Sequence, residues 1–411
     1  MSEWEYQFFV GVDWGSETHT VCVLDRDRRR VMERAVPHTG VGLTALADEL
    51  TALVPSEPGR IAVAIEVPRG AVVDTLLERG LHVFSINPKQ LDRFRDRHTV
   101  AGAKDDRRDA FVLADSLRTD RPAFRRVQPE DPRVVELREL SRVDDDLSQE
   151  LRRLSNRLRE QLHRFFPQAL PLCPGADEPW FWALLDRAPT PARAQRLAVK
   201  TVAAVLKVYR IRRVTVEAIR EALQSPAVHV ARGTVEAASA HIALLLPRLR
   251  LLHEQRTQVA TRIEALLEEL STEEVPGEHR DVTILRSLPG VGRVVAATVL
   301  AEAARPLAER DYQTLRAPGG LAPVTRQSGK KLSVGMRYGC NQRLRNAFYH
   351  WARTSVQFDP HCGAHYEQLR RRGHGHARAL RGVADRSLAV LVAMLTTRTL
   401  YDPERRRKDA A

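Results

Sequence analysis

Short apolar runs separated by polar turns open the chain. Phe8 to Trp14, His19 to Leu24 and Val31 to Val36 read as strands, and the turns between them are short enough for a meander. Gly42 to Leu53 carries helical spacing, Ile61-Ala-Val-Ala-Ile65 is a continuous apolar run of buried-strand type, Ala71 to Arg79 is a second helix and His82 to Ile86 another strand. The predicted order over residues 1–125 is β-β-β-α-β-α-β-α, an α/β domain.

Beyond it the period changes. Leu140, Val143, Leu147, Leu151, Leu154, Leu158, Leu162 and Phe165 are spaced three or four apart, which predicts one straight amphipathic helix over about 133–166. Leu249, Leu252, Arg256, Val259, Ile263, Leu266 and Leu270 alternate strictly by three and four, a coiled-coil period broken only by Arg256. Such a stripe suits a hairpin folded within the chain as well as a seam between chains, and the sequence leaves both open. Between the two helices, Trp180-Phe-Trp182 reads as core. The last third starts at Pro276-Gly277 and predicts several helices around a Gly-rich, basic loop from Pro318 to Gly339, ending in a solvated Arg405 to Lys408 tail. The expected organisation is thus 1–125, a helical and coiled-coil middle over 126–275, a mainly α domain over 276–405 and a tail over 406–411.

Charge singles out that last third. The 411 residues hold 65 Lys and Arg against 52 Asp and Glu, a net +13. From Pro276 onward there are 24 basic and 11 acidic residues, so the whole excess lies there. Charge segregated in this way points to a polyanion, most simply nucleic acid. A composition of 43 % hydrophobic and 28 % charged residues excludes wholesale disorder. No apolar stretch has the length of a membrane span, the N-terminus lacks a basic leader, and Cys22, Cys173, Cys340 and Cys362 are too scattered for a disulfide framework. A cytoplasmic protein that uses no membrane is expected.

Four carboxylates are the first candidate chemistry. Asp13 closes the first strand, Glu66 follows the fourth, and Asp106 and Asp109 share one face of a helix by their i, i+3 spacing. Each alone has an ordinary reading: a turn residue for Asp13, an N-cap for Asp105 or Asp106, a first-turn acid for Asp109. Together, on these elements of a ribonuclease-H-like order, they could converge on hard cations, Mg²⁺ or Mn²⁺, in a phosphodiester site. Gly11-Val-Asp-Trp-Gly-Ser16 also resembles the first phosphate loop of actin-like sugar kinases, but the second phosphate hairpin such a kinase needs is missing from the sequence.

The basic third adds two constellations. Leu288-Pro-Gly-Val-Gly292 between apolar helical stretches reads as a helix-hairpin-helix, with Gly290 and Gly292 allowing close backbone approach and Arg286 and Arg293 beside a phosphate-facing helix start. Ser328 lies among Arg326, Lys330 and Lys331, with Arg337, Arg343 and Arg345 following; a hydroxyl among cations is poised for attack on phosphorus. His361-Cys-Gly-Ala-His365 with His374 and His376 matches no standard zinc spacing and is set aside.

In combination these residues resemble the insertion-sequence 110 family of transposases, akin to Piv-type DNA invertases. The likeness runs from Gly11-Val-Asp13 through Ile65-Glu66, Ala103-Lys-Asp-Asp-Arg-Arg-Asp-Ala110, the coiled-coil spacer and Leu288 to Gly292, on to Gly320-Leu-Ala-Pro323, Ser328-Gly329 and Arg343 to Ala352. It implies a RuvC-like N-terminal domain with a metal-binding DEDD set falling on Asp13, Glu66, Asp106 and Asp109, and a C-terminal transposase domain with a catalytic serine falling on Ser328. Asp105 stands where the family often has Thr or Ser, and the Asp-x-x-Asp-Ala spacing selects Asp106. Gln327 stands where many relatives carry a second serine, with Ser333 a weaker fallback. The resemblance further implies donor and target DNA, an element-encoded bridge RNA as guide, and a dimer or tetramer. The alternative is a stand-alone RuvC-like nuclease of the Holliday-junction resolvase type.

Overall fold

The computed structural model describes residues 6–98, 105–129, 131–272, 279–329 and 331–404. Expectations that rest on Ala103-Lys104, Pro276-Gly277, Lys330 and Arg405 to Lys408 lie outside these residues. The chain forms two compact units, one up to Glu130 and one from Asp131.

The first unit is built on a mixed sheet. Its elements are β1 (Phe8–Asp13), β2 (Thr18–Asp25), β3 (Arg30–Pro37), α1 (Gly40–Leu53), β4 (Ile61–Ile65), α2 (Ala71–Glu78), β5 (His82–Ser85), α3 (Pro88–His98), α4 (Asp106–Thr119) and β6 (Arg125–Arg126). The strand order is β3-β2-β1-β4-β5-β6; β1, β2 and β3 form the antiparallel meander, whereas β4 and β5 run parallel to β1. Every predicted strand and helix is present, and α3 and β6 are additional. An α/β ribonuclease-H-like architecture is consistent with this order.

Strand periodicity assigns the two faces. Val10 and Val12 of β1 and Ile61, Val63 and Ile65 of β4 pack with Leu46 and Leu50 of α1 and Val72 and Leu76 of α2. Positions of the other parity, Phe9, Ala62 and Ala64, pack with Val112, Leu113 and Leu117 of α4. Asp13 and Glu66 continue that second parity, and the β1–β4 register ends at Val12 opposite Ile65, one step before them. Both acids are therefore delivered side by side at the strand ends on the face α4 covers. The helix lies close because the facing residues are small. A Cβ on Gly11 would fall 1.9 Å from the Ala110 carbonyl oxygen and 2.7 Å from the Ala114 amide.

The second unit is almost wholly helical: α5 (Pro132–Phe165), α6 (Pro179–Arg187), α7 (Pro191–Gln195), α8 (Val199–Val208), α9 (Val216–Gln224), α10 (Arg232–Ser271), α11 (Asp281–Ser287), α12 (Arg293–Glu302), α13 (Ala304–Ala308), α14 (Tyr312–Arg316), α15 (Gln342–Phe358), α16 (Pro360–Arg371) and α17 (His376–Thr397), with a two-stranded ribbon of β7 (Val324–Ser328) and β8 (Lys331–Gly335). Helices α5 and α10 pair antiparallel, as the Arg256–Asp144 and Arg262–Glu136 contacts show. The heptad residues Leu249, Leu252, Ile263, Leu266 and Leu270 are buried inside the chain, so the hairpin accounts for the stripe. Two hydrophobic cores share this pair. One joins Leu151 to Phe165 and Leu245 to Leu252 to the Trp180-Phe-Trp182 cluster, and the other joins Leu137 and Ile263 to Leu270 to α11, α12, α15 and α17.

Polar residues fill the level between the cores. Val143, expected on the buried stripe, is 42 % exposed, while Ser141 and Asp144 are buried. Asp144 accepts from Arg256 (3.0 Å), and Ser141 belongs to a network around Glu302, whose carboxylate accepts from Arg142 (3.2 Å), Asn341 (2.7 Å) and Arg343 (3.2 Å). Arg343 also donates to Asp145 (2.9 Å) and Ser141 (2.7 Å). Burial alone would raise the Glu302 pKa; the hydrogen bonds from Asn341 and Arg142 outweigh it and hold the carboxyl below its ordinary range.

The Gly11 contact is testable. Gly11→Ala should destabilise the protein by about 1–3 kcal/mol or more, since α4 backbone rather than a flexible side chain must give way. Thermal unfolding of the full chain reads this directly, and an unchanged melting temperature would show that the close approach is dispensable.

Candidate active site

Four acids and one arginine meet at the strand ends of the first unit. Asp13 is the last residue of β1 and Glu66 directly follows β4; both are partly buried. Asp105 caps α4, its side chain accepting from the Arg107 amide at 3.3 Å, so the ordinary capping role falls to it and Asp106 becomes the first helical residue. Asp109, one turn on, is 2 % exposed. Burial pushes the Asp13 carboxyl up to about 6, with the nearby charges of Asp109 and Asp106 adding to the rise, Arg95 opposing it, and Glu66 adding a smaller part. Asp13 thus lies within electrostatic reach of the other three acids.

Arg95 of α3 joins them, a residue that the local sequence does not mark as part of the site. Its Nε and a terminal nitrogen donate to the two carboxylate oxygens of Asp109 at 2.7 and 2.8 Å, the forked geometry that guanidinium and carboxylate share. Helix α3 escaped notice because Leu91 and Phe94 are nearly its only apolar residues. The readable signal was Asn87-Pro88, where the Asn87 side chain accepts from the Lys89 amide at 3.0 Å, followed by that i, i+3 pair. His19 was overlooked too. Fully buried behind the β1–β2 turn, its Nδ1 accepts from the Gly15 amide (3.3 Å) and its Nε2 faces His38 Nδ1 (2.8 Å), which pins the turn after Asp13. Burial first, then His38, lowers the His19 pKa.

The site is dominated by carboxylates. No three of the four acids bring oxygens within 4.8 Å of one another; among the described residues that spacing is met by Cys173, Asp177 and Glu178 in the second unit. There the Cys173 thiol is pushed up to about 11 by burial, and Glu178 already accepts from Arg213 and Trp180, so these groups are occupied with one another. The four acids, by contrast, are hard oxygen donors, and Arg95 is the cation that opposes their charge at Asp13, a donor set that suits a divalent cation.

In the second unit the expected loop around Ser328 is instead a β-ribbon. Ser328 ends β7, exposed, in register with Lys331, and Arg326 lies opposite Ser333. The strands escaped prediction because both faces are open, with Leu332 and Val334 each 63 % exposed, so no alternation of buried and polar positions marks them.

The turn of the predicted helix-hairpin-helix joins α11 to α12. Gly290 has φ +81°, and a Cβ there would lie 2.7 Å from the Ser355 amide. The Pro289 carbonyl accepts from Trp351 Nε1 (3.0 Å) and Ser355 Oγ (2.7 Å) of α15. Gly290 therefore serves packing onto α15, whereas Gly292 precedes α12 with open space around it. Arg286 donates to Glu264 at 2.6 Å, Arg345 to the Arg337 carbonyl, and Arg343 is committed to the Glu302 network. Arg326 is exposed and Arg293 partly so. Of the histidines set aside earlier, His376 Nδ1 meets the Tyr366 hydroxyl at 2.8 Å.

An acidic cluster at the strand ends of such a sheet, joined to a basic helical region, is the composition of a DNA-processing enzyme. Family comparison agrees: residues 10–167 match a model described as "Transposase", and residues 282–367 one described as "Transposase IS116/IS110/IS902 family". The "Mini-circle putative transposase for IS117" of Streptomyces coelicolor is 32 % identical over 97 % of this chain and 96 % of its own length. The "Putative transposase y4uE" of Sinorhizobium fredii is 52 % identical over 50 % of this chain and 57 % of its own length. A third relative, named for insertion element IS110 of Streptomyces coelicolor, is 29 % identical over 96 % of this chain and 95 % of its own. The chain belongs to the IS110 family of transposases. Among the described residues no helix is long and apolar enough to cross a membrane.

The charge imbalance has a pH signature. For an acid whose folded pKa lies above its ordinary 3.8, the destabilisation is absent at low pH, grows as pH rises, and is complete above about 6. Asp13→Asn should therefore melt a few degrees higher than the parent in EDTA at about pH 7.5, and this advantage should vanish near pH 4. An equal or lower melting temperature at pH 7.5 would show the acids to be balanced already.

Proposed function

We propose that this transposase cuts and rejoins donor and target DNA with two sets of residues, the acids Asp13, Glu66, Asp106 and Asp109 and the hydroxyl of Ser328. The observation that carries the reading is the convergence of the four acids, with Asp13 driven up to about 6 by burial and by its neighbours. Mg²⁺ or Mn²⁺ held by these carboxylates would supply Lewis-acid stabilisation of charge on a phosphodiester. Asp13 and Glu66, fixed by the strands, and Asp109, fixed by α4, set the donor positions; Asp106 at the helix start completes the set.

Ser328 is the nucleophile in this reading. Its Oγ bonds to phosphorus, the bond to one bridging sugar oxygen breaks, and that oxygen leaves as a hydroxyl with the serine proton. The phosphodiester energy is kept in the serine–DNA ester, so a second sugar hydroxyl can reverse the step and rejoin strands. Exposure at the end of β7 leaves the hydroxyl accessible, and Arg326 with Lys330 and Lys331 supplies positive charge in sequence beside it. Further phosphate contacts are assigned to Arg293, Gly292 and the rest of the helix-hairpin-helix segment, with Arg286, Arg343 and Arg345 engaged as described above. Guidance by an element-encoded bridge RNA and assembly as a dimer or tetramer complete the proposal, supported by family membership and by the basic excess after Pro276.

A nicked or suicide DNA substrate tests it. Full-length protein with its flanking non-coding RNA should yield a protein–DNA adduct that survives denaturation. Ser328→Ala should abolish adduct and recombination while retaining DNA binding, and Asp13→Asn should reduce strand exchange to background. Recombination by Ser328→Ala, or efficient junction cutting with neither RNA nor adduct, would favour a water-using resolvase instead.

A further inference from the structure

Asp109 is the most deeply buried of the four acids, and both its oxygens are already taken. Arg95 holds them in a forked pair at 2.7 and 2.8 Å, with the guanidinium itself largely covered. The placement is built into the fold. Leu91 is fully buried, Phe94 stacks on Phe124 at 6.2 Å, and these two anchors fix α3 against the sheet and α4 one turn from Asp109. The remaining guanidinium nitrogen reaches Asp92, which is 65 % exposed and adds little hold. An arginine so placed does for Asp109 what a cation would do: it neutralises a carboxylate that burial would otherwise leave uncompensated.

We propose that Arg95 is the resident counter-ion of the acidic site, occupying Asp109 when no metal is bound and competing with a divalent cation for that carboxylate. The proposal rests on the metal-site reading above. Arg95 acts through Asp109 and is a positioning residue, one that keeps the empty site folded and makes metal capture weaker than four acids alone would give. Loading is then coupled to a charge that can draw Arg95 away, and a nucleic-acid phosphate is the chemically matched candidate, because it accepts the same forked donation as a carboxylate.

Mn²⁺ binding to the full-length protein, followed by electron paramagnetic resonance in the absence of DNA, tests the competition. Arg95→Gln should bind Mn²⁺ about tenfold or more tightly than the parent, because a positive charge next to a ligand has been removed. Arg95→Lys, which keeps the charge but not the fork, should fall between them. Asp13→Asn in either background should abolish the binding. If the parent binds Mn²⁺ in an Asp13-dependent way and Arg95→Gln binds it equally or more weakly, Arg95 orients Asp109 for the metal and the counter-ion proposal is wrong. If neither protein shows Asp13-dependent binding, the metal-site reading itself fails and the proposal falls with it. Circular dichroism verifies folding, and Arg95→Lys decides the matter should Arg95→Gln not fold.

Discussion

The close approach of α4 to β1 is the constraint on which the acidic site depends. Helix and strand meet where Gly11 faces Ala110 and Ala114, with Ala62 and Ala64 on the neighbouring strand presenting the same shallow surface. Any side chain at Gly11 would lift the helix, and with it Asp106 and Asp109, away from Asp13. Packing and electrostatics are opposed here: apolar contact over small residues draws together elements whose ends carry like charges. The sheet and helix win because the apolar contact runs along most of α4, whereas the repulsion is confined to its first turn and is offset at Asp109 by Arg95.

In the second unit a comparable conflict is resolved by pairing. Glu302 and Asp144 would be costly beneath a helix pair without partners, and Arg142, Arg256 and Arg343 meet them from different elements. Apolar surface would be as stabilising there, yet it would not specify register. The charges match one level of α5 to one level of α10, α12 and α15, and the two hydrophobic cores fall on either side.

What the sequence revealed follows from the range of each signal. Strands and helices of the first unit were legible because burial on defined faces writes a period of two or 3.6 into a single segment, and the four acids were legible because they sit at the ends of those segments. Arg95 was not, since its partner lies in another helix and α3 has too few apolar residues to announce itself. The same holds for Arg343: nothing local to it indicates that Ser141, Asp145 and Glu302 are its neighbours, so its charge resembled that of the exposed arginines. The β7–β8 ribbon left no trace for the opposite reason, because neither face is buried and no pattern was imposed on it.

Helices α5 and α10 line both hydrophobic cores of the second unit, so the two cores share one pair of helices. Melting the Trp180-Phe-Trp182 side would release the same two helices that carry Leu137 and Ile263 on the other. Folding free energy is thus pooled across a region far larger than a usual cooperative block, and local opening is left to the elements the spine does not touch. The ribbon that carries Ser328 is one of these, exposed and outside both cores.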